Sequence, residues 1–208
     1  MEFHDRLDAG QQLAAAVNEL VDGDASVTVL GLPRGGVPVA APVADALDAP
    51  LDVLLVRKVG HPRQRELAIG AVAEGGVEVR NHDVAAGLSP DEVRGAEERA
   101  RQELAERSAR YRGVRAPAPV EGRTVVVVDD GVATGATARV ALTALRARSP
   151  ARLVLAVPVA SPRALADLRP LVDDLVCLHA PAGFRSVGQF YTDFSATTDQ
   201  EVAALLDG

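Results

Sequence analysis

Two adjacent acids and a loop of small residues follow a run of four valines in residues 125–138. The apolar run predicts a buried strand of a parallel sheet, and open α/β sheets bind ligands beyond the carboxyl ends of such strands. Glycine and alanine allow the backbone N–H groups of the loop to converge, and a helix predicted to start at Ala136 adds the positive end of its dipole. With hydroxyl donors from Thr134 and Thr137, the segment predicts a cradle for a phosphate group.

Asp129 and Asp130 stand between the predicted strand and this cradle, where a sugar attached to the phosphate would lie. Their carboxylates can accept hydrogen bonds from paired ring hydroxyls. The segment lacks the lysine of a G-x-x-x-x-G-K-[ST] P-loop and the spacing of a G-x-G-x-x-G dinucleotide loop. If the segment binds no ligand, it is a strand–turn–helix connection in which an aspartate or a threonine caps the helix. Capping alone does not explain two acids followed by T-G-x-T.

Two further segments carry residue types suited to anions. Residues 31–36 form a glycine-rich loop that contains Arg34, although such a loop is also a common turn. Arg57 and Lys58 follow an apolar run, and Lys58 is the only lysine among the 22 lysines and arginines of the chain. The arginine bias of the chain does not explain this exception. The simpler alternative is a lysine whose ammonium merely reaches solvent.

The elements that must position these residues alternate between short β-branched runs and alanine-rich helical stretches. This pattern predicts an α/β fold with a central, mainly parallel sheet flanked by helices. The expected strands are residues 27–32, 51–56, 124–129, 152–159 and 175–179. The expected helices are residues 13–20, 37–47, 136–148 and 162–168. We expect a single domain over residues 1–208.

Two regions interrupt the alternation. Residues 67–73 and 77–80 flank Glu74-Gly75-Gly76 and predict a hairpin. A capping box at residues 89–92 then starts a long charged helix that ends near Gly113. We expect this helix to lie on the domain with a solvated charged face. Four of the six aromatic residues fall within residues 181–208 and predict a small C-terminal cap.

Composition limits the classes of function. A net charge of −7 argues against a surface that coats nucleic acid, and no apolar run reaches the length of a membrane span. Residues 1–5 lack the basic start of a signal peptide, and the single cysteine, Cys177, allows no internal disulfide, which fits a cytoplasmic protein. The four histidines have no metal-ligand spacing, so we expect no structural zinc site.

Residues 125–138 resemble the motif that binds 5-phosphoribosyl-1-pyrophosphate (PRPP) in type I phosphoribosyltransferases, where apolar residues precede two acids and a T-G-x-T loop. The resemblance covers most of the chain and implies the Rossmann-like fold of that family. It also implies an insertion at about residues 60–121 and a variable C-terminal hood at about residues 181–208. The implied ribose and 5-phosphate ligands are Asp129, Asp130, Gly131, Val132, Ala133, Thr134, Gly135, Ala136 and Thr137.

The same resemblance assigns the two other segments to pyrophosphate, which relatives often bind through a non-proline cis peptide. The implied pyrophosphate ligands are Pro33, Arg34, Gly35, Gly36, Arg57 and Lys58. Residues 60–66 fit the mobile catalytic loop of the family, in which Arg63 and Arg65 are candidate phosphate contacts. The hood recognises the acceptor in relatives, so Phe184 or Tyr191 can either stack on a planar base or simply anchor the cap.

The implied reaction is displacement of pyrophosphate from C1 of the ribose by a nitrogenous acceptor, for instance a nucleobase, in nucleotide metabolism. Arg34, Arg57 and Lys58 would neutralise the leaving group. Asp129 and Asp130 would hold the ribose, and Asp130 is also a candidate general base. Mg²⁺ would bridge pyrophosphate and ribose through substrate oxygens and water, with no dedicated protein ligands.

Three other functions use the same pocket. A PRPP-sensing regulatory protein keeps the pocket without turnover, but the acidic net charge and the intact cations favour the enzyme. A catalytically silent scaffold subunit is disfavoured by the intact pair of Asp129 and Asp130. A hydrolase would need only water as its acceptor. We therefore expect PRPP, a small-molecule acceptor and Mg²⁺ as ligands, no nucleic acid and no membrane, and the homodimer that relatives often form.

Overall fold

The computed structural model of the protein describes residues 2–74, 78–112 and 116–207. Parallel strands form the central sheet in the order β2 (Leu51–Val53), β1 (Val27–Gly31), β6 (Thr124–Val128), β7 (Arg152–Val159) and β8 (Asp174–His179). The helices are α1 (Arg6–Val21), α2 (Gly36–Ala46), α3 (His82–Ala85), α4 (Pro90–Arg112), α5 (Ala136–Arg146), α6 (Pro162–Leu168) and α7 (Asp199–Asp207). The predicted α/β fold with a parallel sheet is confirmed.

The central strands are buried on both faces, which is why they read as continuous apolar runs. Along β6, Val126 packs with α1 and α2 on one face, whereas Val127 packs with α5 and α6 on the other. Strands β1 and β6 are parallel and in register, with Gly31 opposite Val128. Their carboxyl ends therefore meet at one edge of the sheet, and the loops that follow them are neighbours.

The predicted strand at residues 51–56 is wrong in its second half. The parallel strand β2 ends at Val53, and a new strand, β3 (Val56–His61), starts a separate antiparallel sheet with β4 (Gln64–Ala73) and β5 (Glu78–Arg80). The hairpin predicted for β4 and β5 is confirmed by their antiparallel pairing, while its turn at residues 75–77 lies outside the described part of the chain.

Residues 60–66, which fit the mobile catalytic loop of the family, form the tip of a hairpin. His61 pairs with Gln64, so Pro62 and Arg63 make a two-residue turn between β3 and β4. The role of this tip as a catalytic loop stays a prediction. The side chain of Arg65, the second candidate phosphate contact there, is outside the described side chains.

Helix α4 begins as predicted, at a capping box. The Ser89 Oγ accepts a hydrogen bond from the Glu92 N–H at 3.3 Å, and a Glu92 carboxylate oxygen accepts one from the Ser89 N–H at 2.8 Å. An apolar stripe of Ala96, Ala100 and Leu104 is buried against the antiparallel sheet. The expected helix end near Gly113 falls outside the described residues.

The two ends of the chain meet beside the sheet. Helix α1 starts at Arg6, seven residues before the predicted start, because Asp5 caps it by accepting from the Asp8 N–H at 2.9 Å. Phe3 forms a parallel bridge with Tyr191. The C-terminal cap is thus tied to the N-terminal segment, whereas α7 packs with α4 in a different core. Within the described ranges, no helix combines the length and the apolar character needed to cross a membrane.

Candidate functional site

The loop after β1 and the acids after β6 are in direct contact. The Leu32 N–H donates to the Val128 carbonyl at 2.8 Å. A Cβ atom added to Gly36 would lie 2.9 Å from the Asp129 Cα, and one added to Gly35 would lie 1.9 Å from Asp130 Oδ2. No side chain fits at either glycine, so the backbone of this loop can approach both acids. The structure therefore brings two of the three predicted anion-binding segments together.

The peptide bond between Pro33 and Arg34 is cis. Arg34 itself points towards the C-terminal helix, where its Nη1 lies 3.8 Å from Asp199 Oδ1 with both side chains about half exposed. Together with Arg107, Arg110 and others, these two residues line a cleft of about 290 Å³, referred to below as the Arg34 cleft.

The loop after Asp130 has the predicted form of a phosphate cradle. Gly135 has a φ of +75° and precedes the first residue of α5, so only glycine fits this turn comfortably. The Ser161 hydroxyl fixes the loop by donating to the Ala133 carbonyl at 2.7 Å. Thr134 and Thr137 are exposed at the start of α5. Their hydroxyls are therefore open to a ligand at the positive end of the helix dipole.

Arg57 and Lys58 lie on β3, and not at the end of a central strand. They line a second cleft of about 710 Å³ between the β3–β4 hairpin, α4 and the start of α5, referred to below as the hairpin cleft. Thr137 lines the same cleft, so the structure brings the predicted phosphate loop and the basic pair to one cavity. Arg57 forms an ion pair with Glu103 of α4.

Arg6 belongs to the site although its sequence context gives no indication of it. Its Nε donates to Asp130 Oδ2 at 2.9 Å, and its Nη1 donates to the Ser195 carbonyl at 2.7 Å. The guanidinium also lies 4.1 Å from the centre of the Phe194 ring. The Arg6 and Asp130 side chains are only 12% and 16% exposed. The two residues are 124 positions apart, so no local spacing could reveal the pair.

Burial raises the pKa of both carboxyls after β6. The increase is larger at Asp129, because it also faces the negative charge of Asp130. At Asp130 the Arg6 guanidinium opposes the effect of burial and stabilises the ionised form. The two carboxyls therefore titrate as a coupled pair, and burial together with their mutual repulsion opposes the doubly ionised form.

The aromatic residues of the cap mostly contact one another. The Tyr191 ring is 6% exposed and lies 5.4 Å from Phe3 and 5.0 Å from Phe194, while its hydroxyl donates to the Asp130 carbonyl at 2.6 Å. Burial raises the pKa of Tyr191. Phe184 stacks on Phe190 at 5.6 Å and keeps part of its surface exposed. Of the two candidate residues for base stacking, Phe184 thus has the more accessible ring.

In the described part of the chain, no group of three or more His, Cys, Asp and Glu side chains could hold a metal ion. Asp129 and Asp130 are the carboxylates beside the phosphate cradle. Two carboxylates suit a Mg²⁺ ion that takes most of its ligands from a phosphorylated substrate and water.

Relatives of known sequence include a protein of Mycobacterium tuberculosis, which occurs as MT0597 and Rv0571c in two strains and is named provisionally as a phosphoribosyl transferase. Each is 49% identical over 207 residues, which is 99% of this chain but 46% of that protein. The chain therefore spans about half the length of the curated relatives it matches.

Two solved structures have a fold similar to that of this chain. The crystal structure of TT1426 from Thermus thermophilus has a TM-score of 0.90 at 46% identity, covering 99% of this chain and 98% of that one. A hypoxanthine-guanine phosphoribosyltransferase from Bacillus anthracis has a TM-score of 0.51 at 12% identity, covering 88% and 85%, and shows the fold alone. The sequence model of the phosphoribosyl transferase domain matches residues 2–188. The chain therefore belongs to the phosphoribosyl transferase domain family.

Proposed function

We propose that this domain transfers the 5-phosphoribosyl group of PRPP to a nitrogenous acceptor, with release of pyrophosphate. The observation that carries the proposal is the contact of the Gly35-Gly36 backbone with Asp129 and Asp130. This contact sets a pyrophosphate-type loop against two carboxylates suited to ribose hydroxyls, next to an open helix N-terminus suited to a phosphate. A single PRPP molecule carries these three groups in that order.

In the proposed complex, the 5-phosphate lies at residues 133–137 and accepts hydrogen bonds from backbone N–H groups and from the hydroxyls of Thr134 and Thr137. The ribose hydroxyls donate to Asp129 and Asp130. The pyrophosphate lies towards the loop of residues 33–36 and towards Arg57 and Lys58, which line the cleft that continues from Thr137.

The protein accelerates the reaction by position and electrostatics. As the bond from C1 to pyrophosphate lengthens, negative charge grows on the leaving group and positive charge grows on the ribose. Arg34, Arg57 and Lys58 stabilise the first, and the carboxylates below the ribose stabilise the second. Asp130 is the candidate general base for the acceptor, because burial raises the pKa of its carboxyl even though the Arg6 guanidinium opposes this rise.

Mg²⁺ is the proposed cofactor. When bound, it would neutralise charge on the pyrophosphate. Asp129 and Asp130 are the residues nearest to its proposed position, and substrate oxygens and water supply the remaining ligands. The acceptor is proposed to lie towards the cap, where Phe184 offers a partly exposed ring for a planar base.

A PRPP sensor is the second candidate, and one observation favours it. Arg34 pairs with Asp199 of α7, and Arg57 pairs with Glu103 of α4. A polyanionic ligand would compete with both carboxylates, so binding would change contacts that two helices make. A sensor needs this kind of link between occupancy and helix position.

Calorimetric titration of PRPP in the presence of Mg²⁺, with and without each of a panel of nucleobases, tests the proposal. We expect PRPP binding, and release of pyrophosphate when the correct base is present. Binding without turnover for any acceptor would support the sensor instead. If the folded protein does not bind PRPP at all, both candidates are wrong.

A further inference from the structure

Helix α4 directs part of its charged face into the hairpin cleft, although its sequence predicts a solvated face. Among the described side chains that line this cleft are Arg57, Lys58, Arg99, Glu103, Arg107 and Thr137. Arg99, Glu103 and Arg107 come from α4 at a spacing of four residues, so they lie along one side of the helix and face β3. The helix thus forms one wall of the cavity that contains the basic pair.

The described side chains of this cleft carry a net positive charge, whereas the protein carries a net negative charge. Four fixed cations and one fixed anion are found among its described lining residues, whereas the whole chain has a net charge of −7. Like charges held close together repel, so an anionic ligand would stabilise a cluster of this kind. The cluster therefore points to a ligand with several negative charges.

The cations of the cleft also differ from the other arginines of α4. Within the described side chains, neither Lys58 nor Arg99 has a carboxylate partner. By contrast, Arg94 pairs with Asp91 and Arg101 pairs with Glu98 on the outer surface. Arg107 contacts the Tyr111 ring at 5.9 Å. Arg99 is thus available to a ligand and Arg107 is held by the Tyr111 side chain, whereas the two outer arginines are already paired with carboxylates.

Arg63, at the tip of the β3–β4 hairpin, is engaged by a carboxylate of α4 and not by the cleft. Arg63 donates to Glu92 at the start of α4 through Nε at 3.1 Å and Nη2 at 2.6 Å. This contact engages the hairpin arginine and also attaches the hairpin to α4. Among the described side chains, the arginines that line the cleft beside Arg57 and Lys58 are those of α4.

We propose that Arg99 and Arg107 of α4 bind the pyrophosphate group of PRPP together with Arg57 and Lys58. The proposal rests on the proposed function and assigns two ligands from the inserted helix. Arg107 lines both the hairpin cleft and the Arg34 cleft, so it connects the basic pair with the loop of residues 33–36. Glu103 also lines both clefts and pairs with Arg57, so it competes with the pyrophosphate for this guanidinium.

The test is calorimetric titration of the folded protein with inorganic pyrophosphate and with PRPP, each in the presence of Mg²⁺. We expect Arg99→Ala and Arg107→Ala each to weaken the binding of both ligands by about tenfold, because each removes a charge-assisted hydrogen bond. Arg94→Ala is the matched control, since this arginine lies on the same helix outside both clefts; its affinities should equal those of the wild type.

Glu103→Gln provides a test in which the affinity for pyrophosphate should rise instead of fall. It frees Arg57 and removes the negative charge from the cleft, so we expect pyrophosphate to bind several-fold more tightly. Its control is Glu98→Gln, which removes the same charge from the outer face of α4. Thermal unfolding of every variant verifies that the fold is retained.

The outcomes separate this inference from the proposed function. If the wild type binds PRPP and the Arg99 and Arg107 variants bind both ligands equally well, the inference is wrong and the proposed function stands. An effect of these variants on acceptor affinity alone would also overturn it. If the wild type binds pyrophosphate through these arginines but does not bind PRPP, the anion site is supported and the proposed function is wrong.

Discussion

The Arg6 guanidinium approaches Asp130 Oδ2 through both Nε and Nη2 at 2.9 Å, and the pair is largely withdrawn from solvent. The same guanidinium donates a hydrogen bond to the Ser195 carbonyl and lies over the Phe194 ring. One arginine thus connects a proposed ribose ligand to the C-terminal cap. It also favours the ionised form of that carboxyl against the effect of burial on its pKa, because a guanidinium remains protonated at any pH the fold survives.

Replacing Arg6 by glutamine should destabilise the protein, because it leaves the Asp130 carboxylate buried without its counterion. We expect the free energy of unfolding to fall by about 3 kcal/mol at neutral pH, measured by urea denaturation. Arg6→Lys keeps the charge but loses the two-pronged contact, so its effect should be smaller. A loss of less than about 0.5 kcal/mol for Arg6→Gln would mean that the ion pair contributes little.

Asp129→Asn should stabilise the fold while abolishing PRPP binding. The folded-state pKa of Asp129 lies above its ordinary value of 3.8, so the folded protein holds this proton more tightly than the unfolded chain does. The protonated carboxyl of Asp129 therefore makes its full contribution to stability below pH 3.8. This contribution is lost as the pH rises through the folded-state pKa.

The asparagine variant cannot ionise and avoids that loss. We expect its unfolding free energy at pH 7 to exceed that of the wild type by on the order of 1–2 kcal/mol, with the difference disappearing at acid pH. Urea denaturation at several pH values measures this. Glu19→Gln, which removes an exposed carboxylate of α1, is the control for the change in net charge. A variant less stable than the wild type at pH 7 contradicts the prediction.

Gly35→Ala should damage the contact between the two loops. The φ of Gly35 is −63°, which alanine tolerates, so the expected effect comes from the clash of the new Cβ with the Asp130 carboxylate. We expect a loss of about 1–3 kcal/mol in unfolding free energy and weaker PRPP binding. Gly183→Ala is the control, because a Cβ there meets no atom within 4 Å. Equal PRPP affinity in both variants would argue against a site at this contact.

Asp199→Asn should release Arg34 for the ligand. Asp199 lies 3.8 Å from Arg34 Nη1 and accepts from the Tyr111 hydroxyl at 2.7 Å, and asparagine keeps an acceptor for that hydroxyl. Because Arg34 and Asp199 are about half exposed, we expect PRPP affinity to rise by no more than about threefold. Asp207→Asn, which makes the same charge change in α7, should leave the affinity unchanged. An equal change in both variants would show that Asp199 does not restrain Arg34.

The central sheet and its loops could be predicted because their signals are local. The four valines of β6, the acids that follow and Gly135 are adjacent in sequence, and each has one preferred role at a strand end or a helix start. Helix α6 was predicted with its observed bounds, because Ser161 and Pro162 mark its start.

The rest of the site could not be predicted, because it depends on contacts between distant segments. The hydrophobic run 51–56 continues across the boundary between β2 and β3, so the sequence gives no sign that the chain changes sheets at Leu54. The charge pattern of α4 is that of a solvated helix, and only the folded structure shows that β3 lies beside Arg99 and Arg107. In the sequence, nothing distinguishes Arg6 from the other arginines, because its contact with Asp130 forms only in the folded protein.

The bridge between Phe3 and Tyr191 has a consequence for the order in which the domain is assembled. During synthesis, Arg6 leaves the ribosome long before Asp130 and the cap, so its guanidinium stays hydrated while the central strands between residues 27 and 179 are made. The contacts that close the site have a very high sequence separation, and such contacts form late because of the entropy lost in closing a long chain. The central sheet can therefore form before the segment around Phe3 joins the segment around Tyr191, and Asp130 gains its Arg6 counterion only when these distant segments meet.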